Sequence, residues 1–425
     1  MKLLQSLPLI LPLASCLVIS RDESPVSYDG FKVFRIATGD SLAAIEEKLS
    51  LFSTEPWNRD LSQHIDVALA PNQLADFEAL GLNATIMHED LGADIAAESI
   101  IDDSSDLTAR QSGSVPSANW FNNYHSYNDH IQFLRDLQAA FSSRSEIITS
   151  GTSVQGRALT GIHLWGSGGK GSRPAVLFHG TVHAREWIST MTVEYIAYQL
   201  LTTYASDATT RGFLDSYDFY IMPIVNPDGF AYSQTNDRLW RKNRSAAPSG
   251  SSCLGTDINR NWPYMWNVPG GSSTNPCDQT YRGRSQGDSP EVRGLISQIQ
   301  SLQGGQGIKL YIDWHSYGQY ILTPYGYSCS AVAPNQAEHD SLAAGTGNAI
   351  RAQGGTRWTT GPSCRTLYAT SGSSTDYLGD VAGAEYSLTI ELRDTGANGF
   401  VLPASQILPS GREQWAGMRY LLGNM

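Results

Sequence analysis

Apolar runs rich in β-branched residues alternate with segments of helical periodicity from about Trp120 to the end of the chain. Short continuous apolar runs of this kind predict strands that are buried on both faces of a sheet. Helical patterns lie between these runs, for example from Val193 to Tyr204 and from Glu291 to Leu302. The alternation predicts an α/β unit with a large mixed, mostly parallel sheet and helices on both faces. The four clearest predicted strands are Ala175 to Phe178, Phe219 to Val225, Ile308 to Ile312 and Tyr386 to Ile390.

A smaller unit precedes the large one, between Phe31 and His88. Phe31 to Ile36 and His64 to Leu69 alternate apolar and polar residues as strands do, and Thr85 to Met87 predicts a third short strand. Helical patterns separate these segments. The resulting order, β-α-β-α-β, predicts a small two-layer α+β domain.

Charge and composition separate the two units. The chain has 425 residues, which favours more than one domain, and its net charge is −12. The segment from Arg21 to Gln111 contains 18 acidic and 6 basic residues, so it carries the whole excess of negative charge. A polar stretch from Ala93 to Val115 overlaps the end of this segment. It is either a plain interdomain linker or a site at which proteases cut the chain. No basic patch is present, so we expect no nucleic-acid partner.

The N-terminus has the pattern of a secretory signal, which we place at residues 1–17. Lys2 supplies the positive end, and an apolar run from Leu3 to Ile19 follows. The alternative is a membrane anchor, but the run is short for a membrane span and is followed by charged residues. We therefore expect a secreted, extracellular protein without a membrane span.

Cysteine usage agrees with secretion. Cys16 leaves with the signal, so an even number of cysteines remains, which predicts two disulfides in an oxidising compartment. We expect neighbours to pair, Cys253 with Cys277 and Cys329 with Cys364, although three connectivities are possible. A cysteine zinc site is the competing interpretation, but the spacing is wide and irregular.

Two sequons for N-glycosylation are present. They begin at Asn83 and at Asn243, and each is a weak signal by itself.

Polar residues follow directly after the predicted strands of the large unit. His183 and Glu186 come after the first strand, His315 after the third and Glu391 after the fourth. Sites in open α/β sheets form at the carboxyl ends of the strands. We therefore expect these side chains to meet in one cleft.

His183, Glu186 and His315 form a candidate metal site. Catalytic zinc uses three nitrogen and oxygen ligands, and a close pair on one turn with a distant third ligand is a suitable arrangement. The H-x-x-E pair alone is weak, and a hydrogen-bonded loop histidine is the alternative for His183. Asp257 and His179 are other conceivable ligands.

Arginines crowd a stretch rich in Gly and Ser, at positions 238, 241, 244 and 260, with Asn259 beside the last of them. Guanidinium groups bind carboxylates through two parallel hydrogen bonds, so the cluster suits a negatively charged substrate. The alternative is ordinary surface salt bridges, which we favour for Arg238 and Arg244. Glu391 could act as a base beside a metal-activated water, and a buried salt bridge with Arg393 is its alternative.

Several motifs together resemble zinc metallocarboxypeptidases of the carboxypeptidase A type. They occur in that family's order from about Trp120 to the C-terminus, and the Phe31–His88 unit resembles the family's activation propeptide. The motifs are His183-Ala184-Arg185-Glu186-Trp187, Asn226-Pro227-Asp228-Gly229, Trp240-Arg241-Lys242, Asp257-Ile258-Asn259-Arg260-Asn261-Trp262, His315-Ser316-Tyr317 and Glu391-Leu392-Arg393-Asp394-Thr395-Gly396.

The resemblance implies a role for each matching residue. One zinc ion per chain would be held by His183, Glu186 and His315, with Glu391 as the general base and Arg241 stabilising the oxyanion. The substrate-binding positions implied are Arg185, Asn259, Arg260, Ser316, Tyr317, Tyr368 and Thr375. Tyr368 would otherwise be an ordinary loop aromatic.

The same resemblance implies a zymogen with three parts. They are a signal at residues 1–17, an activation propeptide at 18–112 and a catalytic domain at 113–425. The expected partners are peptide or protein C-termini as substrate and an activating protease that cuts near Arg110. A monomer is expected.

Substrate preference follows from the position that corresponds to the family's pocket floor, Thr375. An acidic residue there would favour C-terminal Lys or Arg, and Thr375 offers no charge, so the resemblance implies a preference for apolar or aromatic C-terminal residues. Asp376 is expected to point away as part of the wall. The remaining lining residues implied are Leu322, Gly326, Leu367, Thr370 and Thr389.

Three other functions stay open at this point. One is an enzyme for non-standard C-termini such as cell-wall peptides, which the same clamp would fit. Another is an inactive binding homologue, whose signature would be the loss of Glu391 or a zinc ligand. A secreted inhibitor or adhesion protein would not need the His-Glu-His set.

Overall fold

The computed structural model describes residues 24–39, 42–52, 55–58, 64–98 and 114–425. The predicted signal at 1–17 and the linker around Arg110 lie outside the described residues, so both stay predictions. The described residues form a small N-terminal unit and a large unit that begins near Ala118.

The N-terminal unit is a four-stranded antiparallel sheet in the order β2-β3-β1-β4. The alternation of residues along these strands has a structural cause. One face of the sheet packs against the helices of the unit, and the opposite face packs against the large unit. Phe34, Ile36 and Val67 pack with α1 and α2 on the first face. Its elements are β1 (Lys32–Ala37), α1 (Leu42–Leu49), β2 (Glu55–Pro56), β3 (His64–Leu69), α2 (Leu74–Ala79), β4 (Ala84–His88) and α3 (Leu91–Glu98).

The large unit confirms the predicted fold class. Its eight-stranded sheet has the order β11-β10-β12-β9-β7-β8-β6-β5, and four of the seven strand pairings within residues 114–425 are parallel. The strands are β5 (Ser145–Thr152), β6 (Ala158–Leu164), β7 (Ala175–Gly180), β8 (Asp218–Met222), β9 (Ile308–Ser316), β10 (Tyr320–Thr323), β11 (Thr359–Pro362) and β12 (Tyr386–Leu392).

Helices cover both faces of this sheet. They are α4 (Tyr127–Ala140), α5 (Trp187–Thr203), α6 (Ala208–Ser216), α7 (Pro227–Thr235), α8 (Pro290–Gly304), α9 (Gln336–Gly354), α10 (Ser363–Thr366), α11 (Ser374–Asp380) and α12 (Ile407–Asn424). Alternate residues of β7 enter different cores: Val176 and Phe178 pack with α5 and α12, whereas Leu177 packs with α8 and α11. This double burial explains why the strands are continuous apolar runs.

Two predicted boundaries were wrong. The strand predicted over Phe219 to Val225 ends at Met222, since Pro223 has no N–H to continue the hydrogen-bond ladder. The helix predicted from Val193 begins six residues earlier, at Trp187, directly after Glu186. Because α5 is buried almost all round, it has no polar face to mark its start in the sequence.

The expected disulfide pairing is confirmed. Cys253 is bonded to Cys277 and Cys329 to Cys364. The first bridge lies within the long connection between α7 and α8, and the second ties the connection after β10 to the short helix α10.

The structure contradicts one of the two glycosylation sites. The side chain of Asn243 is fully buried, and its Nδ2 donates to Glu291 Oε2 at 2.9 Å and to Ser289 Oγ at 3.2 Å. A glycan on this nitrogen is incompatible with that packing. Asn83 is exposed in the turn before β4 and stays a predicted site.

Within the described residues, none of the helices combines the length and the apolar character needed to cross a bilayer.

Candidate active site

A tight turn after β7 positions the first two candidate metal ligands. Thr181 has a left-handed φ of 51°, and its N–H donates to Ser189 Oγ on α5 at 2.8 Å. The turn brings His183 to the carboxyl edge of the sheet, and Glu186 is the residue at which α5 is capped. Both side chains are buried. The strained turn therefore fixes the H-x-x-E pair between a buried strand and a buried helix.

His315 completes a three-residue cluster from the neighbouring strand. β9 runs parallel to β7, and His315 is its penultimate residue. The Nδ1 atoms of His183 and His315 are 3.1 Å apart, and the Glu186 carboxylate lies 2.8 Å from the first and 3.0 Å from the second. Among the described residues this is the group whose ligand atoms could share a metal ion.

The donor set fits zinc. Zinc–nitrogen bonds of about 2.0–2.1 Å in a tetrahedral site place donor atoms a little over 3 Å apart, as the two Nδ1 atoms are here. Burial by itself would raise the pKa of Glu186, but the rings of His183 and His315 hold it well below its usual range. The carboxylate is therefore ionised, as a ligand must be.

The two alternative ligands point elsewhere. Asp257 Oδ1 lies 3.1 Å from His183 Nε2, on the side of the ring away from the cluster. His179 Nδ1 lies 3.1 Å from the Tyr311 hydroxyl beneath the sheet edge. Asp257 therefore orients a ligand, and His179 belongs to the packing below it.

Arg241 stands beside the cluster. Its Nη2 donates to Asp257 Oδ2 at 2.9 Å, and its Nη1 lies 3.8 Å from Glu186. Asp257 thus links the guanidinium of Arg241 to the ring of His183. Arg241 is held rigidly at the edge of the cavity, with one end of the guanidinium directed at the cluster.

Glu391 enters the site from β12. It pairs in register with His315 on β9, and its side chain is partly exposed toward the cavity. Burial raises the pKa of Glu391 to about 8, with His315 opposing the shift and Glu186 adding to it. The alternative salt bridge with Arg393 is wrong, because Arg393 pairs with Glu413 at 2.8 Å.

These groups surround one cavity of about 500 Å³. Asn259 and Arg260 lie on a short 3₁₀ turn, Ile258–Arg260, at its edge. The predicted residues that line the cavity are His183, Arg185, Glu186, Arg241, Asn259, Arg260, His315, Ser316, Tyr317, Tyr368, Thr375 and Glu391. The remaining predicted lining positions, Leu322, Gly326, Leu367, Thr370 and Thr389, are also there.

Thr375 lines the cavity with a polar but uncharged side chain. The hydroxyls of Thr375 and Thr389 are hydrogen-bonded to each other at 2.6 Å. Asp376 also borders the cavity, but its carboxylate accepts from the backbone N–H of Gly326 and Tyr327. Burial raises the pKa of Asp376 to about 6, and these N–H groups oppose that shift. Asp376 is thus turned into the wall, as expected.

The prediction that Arg238 forms an ordinary surface salt bridge is wrong. Arg238 is buried and binds both oxygens of Glu98 at the end of α3, at 2.6 and 2.8 Å, so it makes no ordinary surface salt bridge. Arg244 is half-buried and stacks on Tyr232 and Trp240. The sequence carried no signal for the Glu98 contact, because the two residues are 140 positions apart.

The N-terminal unit also contributes to the cavity. Arg35, Trp57, Asn58 and His64 line it together with residues of the large unit. Sequence reasoning singled out none of these four, because nothing local distinguishes them from other strand and loop residues.

A mixed, mostly parallel sheet with a His-Glu-His cluster, a carboxylate and a guanidinium at its carboxyl edge defines a metallopeptidase-like hydrolase site. The model of the zinc carboxypeptidase family matches residues 130–417. The chain belongs to this family, and it is a metallocarboxypeptidase, an exopeptidase that hydrolyses peptide bonds.

Individual proteins that are similar to this chain support the same family assignment. Metallocarboxypeptidase A of Trichophyton rubrum is 45% identical over 410 residues, covering 95% of each chain. Carboxypeptidase A4 of Mus musculus is 34% identical over 407 residues, covering 92% of this chain and 93% of the mouse protein. The crystal structure of thrombin activatable fibrinolysis inhibitor superimposes with a TM-score of 0.83 and 26% identity, covering 92% of this chain and 98% of that chain.

Zinc content tests the ligand set. Because His315 is one of the three predicted ligands, we expect His315→Ala to lower the content from about one zinc ion per chain to a small residual fraction. His179→Ala is the matched control and should retain zinc, since its ring faces Tyr311. Elemental analysis of the folded proteins measures both. Equal loss in the two variants would contradict the assignment.

Proposed function

We propose that this cavity removes the C-terminal residue from peptides and proteins. The observation that supports this most directly is the meeting of three strand ends, which assembles His183, Glu186, His315 and Glu391 beside Arg241 in one cavity. Zinc held by the first three residues would supply a Lewis acid that polarises the scissile carbonyl and makes water more acidic.

Glu391 and Arg241 carry the proton and charge transfers in this proposal. A carboxyl group that lines the cavity beside the His-Glu-His cluster is placed to accept a proton and return it. Glu391 takes the proton from the attacking water and delivers it to the leaving amine. The guanidinium of Arg241, already oriented by Asp257, faces the oxygen on which negative charge develops.

In this proposal, Asn259, Arg260 and Tyr368 bind the terminal carboxylate of the substrate and so select the end of a peptide chain. A guanidinium binds a terminal carboxylate through two parallel hydrogen bonds. An internal peptide has no carboxylate for Arg260, so it gains none of this binding. This explains exopeptidase action without a steric block.

Exchange of the proposed base tests the mechanism. Glu391→Gln should keep zinc and bind substrate but lose about 10²–10⁴-fold in kcat, because the amide cannot accept the proton. The matched control is Glu385→Gln, which removes an exposed ion pair with Lys309 and should leave kcat unchanged. Retained turnover in zinc-loaded Glu391→Gln would refute the base assignment.

We also propose a preference for apolar or aromatic C-terminal residues. Thr375 and Thr389 satisfy each other by hydrogen bonding, so an apolar side chain above them leaves neither hydroxyl unpaired. A C-terminal Lys would enter the pocket without a charged partner at the floor, since Asp376 is engaged by backbone N–H groups.

Matched peptides that differ only in their last residue test this preference. The parental enzyme should release Phe at least about tenfold faster than Lys in kcat/KM, and Thr375→Asp should shift the ratio toward Lys by a similar factor. Thr375→Val keeps the size without a charge and should retain the Phe preference. Faster release of Lys by the parental enzyme would overturn the proposal.

Latency is a further part of the proposal: the N-terminal unit, residues 18–112, keeps the enzyme inactive until it is removed. Its Arg35 binds Asp66 at 2.6 and 2.8 Å and donates to the carbonyl of Thr395 in the loop that follows β12. Trp57 packs on Phe400 in the same loop. The contacts occlude one side of the cavity that contains Glu391.

Two glycines of that loop permit this close approach. Gly396 and Gly399 both have positive φ values, and a Cβ atom on them would lie 1.9 Å from Arg35 Nη2 and 2.9 Å from the ring of Trp57. A side chain at Gly399 would collide with the rigid Trp57 ring, and one at Gly396 would displace the guanidinium of Arg35. The loop is therefore shaped to receive the N-terminal unit.

Activity before and after cleavage of the linker near Arg110 tests latency. A unit that covers the cavity for nine-tenths of the time lowers apparent activity about tenfold, so we expect at least that difference. The double variant Arg35→Ala/Glu98→Gln loses two contacts with the large unit and should raise the activity of the uncut chain. The control Lys32→Ala breaks only an exposed ion pair with Glu89 and should leave that activity unchanged. Equal activity of cut and uncut chains would contradict latency.

Secretion completes the proposal. The two disulfides support folding in an oxidising compartment, in agreement with the signal predicted at residues 1–17.

A further inference from the structure

Asp313 is a buried carboxylate next to the zinc site. It lies two residues before His315 on β9, so both side chains project from the same face of the sheet. Asp313 is fully buried, and its Oδ2 lies 3.0 Å from His315 Nε2 and accepts from Ser374 Oγ at 2.5 Å. Across the described part of the chain, its ion pairs involve His315 alone.

A carboxylate in this position requires positive charge nearby. An ionised group that is removed from water without a partner is strongly destabilising. Asp257, which contacts the other histidine, has the guanidinium of Arg241 as a second partner. Asp313 has no such guanidinium, so its compensation comes through the ring of His315. A divalent cation held by the far nitrogen of that ring would supply this compensation.

The contact also decides which nitrogen of His315 is available as a ligand. Two groups contact His315 Nε2: the Asp313 carboxylate at 3.0 Å and the amide nitrogen of Asn259 at 3.2 Å. The carboxylate is the nearer of the two and can only accept, so we assign the proton to Nε2, which donates it to Asp313. The lone pair of Nδ1 then faces His183 Nδ1 and Glu186. Hydrogen bonding of this kind sets the orientation and basicity of metal-binding imidazoles.

Ser374 extends the contact to the substrate pocket. It is the first residue of α11, and the next residue is Thr375 at the proposed pocket floor. Its hydroxyl donates to Asp313, and its backbone N–H donates to Asn259 Oδ1 at 2.8 Å. All of these side chains are buried. A continuous hydrogen-bonded chain therefore joins the pocket wall to His315.

We propose that Asp313 is a positioning residue of the metal site, which holds His315 in its ligating tautomer and, through Ser374, ties that ligand to the substrate pocket. The inference rests on the proposed role of His315 as a zinc ligand. Asp313 itself does not touch the reacting atoms.

Zinc affinity of the full-length chain, measured by competition with a chromogenic chelator, tests this inference. We expect Asp313→Asn to raise the Kd for zinc about 10–100-fold and Asp313→Ala at least as much, the usual effect of losing such a partner. Ser374→Ala keeps the carboxylate and should raise the Kd severalfold. Unfolding of the zinc-free proteins, followed in parallel, reports stability separately from metal affinity.

Asp228→Asn is the matched control. Asp228 is equally buried, but its partners are Ser153, Gln155 and Arg157, none of which lines the cavity. The variant should lose stability, because a buried ion pair is broken. Its zinc affinity should stay within about twofold of the parental value, because Asp228 contacts none of the proposed zinc ligands.

Folded Asp313 variants with a zinc Kd within twofold of the parental value would overturn the inference. If neither Asp313 variant folds, the same twofold criterion applies to Ser374→Ala. A parental chain without zinc affinity would overturn the proposed function as well, whereas normal parental affinity with unchanged variants overturns only the role of Asp313.

Discussion

Parallel pairing of β7, β9 and β12 in a sheet buried on both faces is the constraint on which this molecule depends. Parallel strands end at the same edge, so residues far apart in the chain, such as Glu186 and Glu391, arrive at one place. The apolar cores on both sides hold the strands rigidly. The site can then be polar and charged because the sheet beneath it leaves little freedom for rearrangement.

The charges at this edge explain why the site suits a divalent cation. Glu186, Asp257 and Asp313 are buried within or directly around the histidine pair, with Arg241 as the guanidinium among them. These three carboxylates and this guanidinium carry an excess of negative charge that a divalent cation would neutralise. Without the cation, the buried negative charge would be poorly compensated, which is unfavourable in a dry interior.

The same edge is where the N-terminal unit binds. Its outer sheet face packs Val33 and Trp57 against Leu239 and Phe400 of the large unit. The ion pair of Glu98 and Arg238 lies beside this apolar contact, where water has little access. Among the described residues, this ion pair is the direct charge contact between the acidic N-terminal segment and an arginine of the large unit.

Much of the fold and of the candidate site could be predicted from the amino-acid sequence alone. Continuous apolar runs identified the buried strands, and the polar residues directly after them identified the site, because side chains at strand ends share an edge. The motif resemblance added Tyr368, which has no local signal. The prediction failed for Arg238 and Asn243, whose exposure depends on segments 140 and 48 residues away.

The sequence by itself determined the fold class, the strands that carry the site and the residue types that gather there, since periodicity and residue chemistry are local properties. Only the tertiary structure decided that Asp257 and Asp313 contact the two histidines, that Asp376 faces the wall and that Arg35 and Trp57 reach the cavity. These outcomes depend on distances between residues remote in the chain, and such distances exist only once the sheet, the helices and the N-terminal unit have packed together.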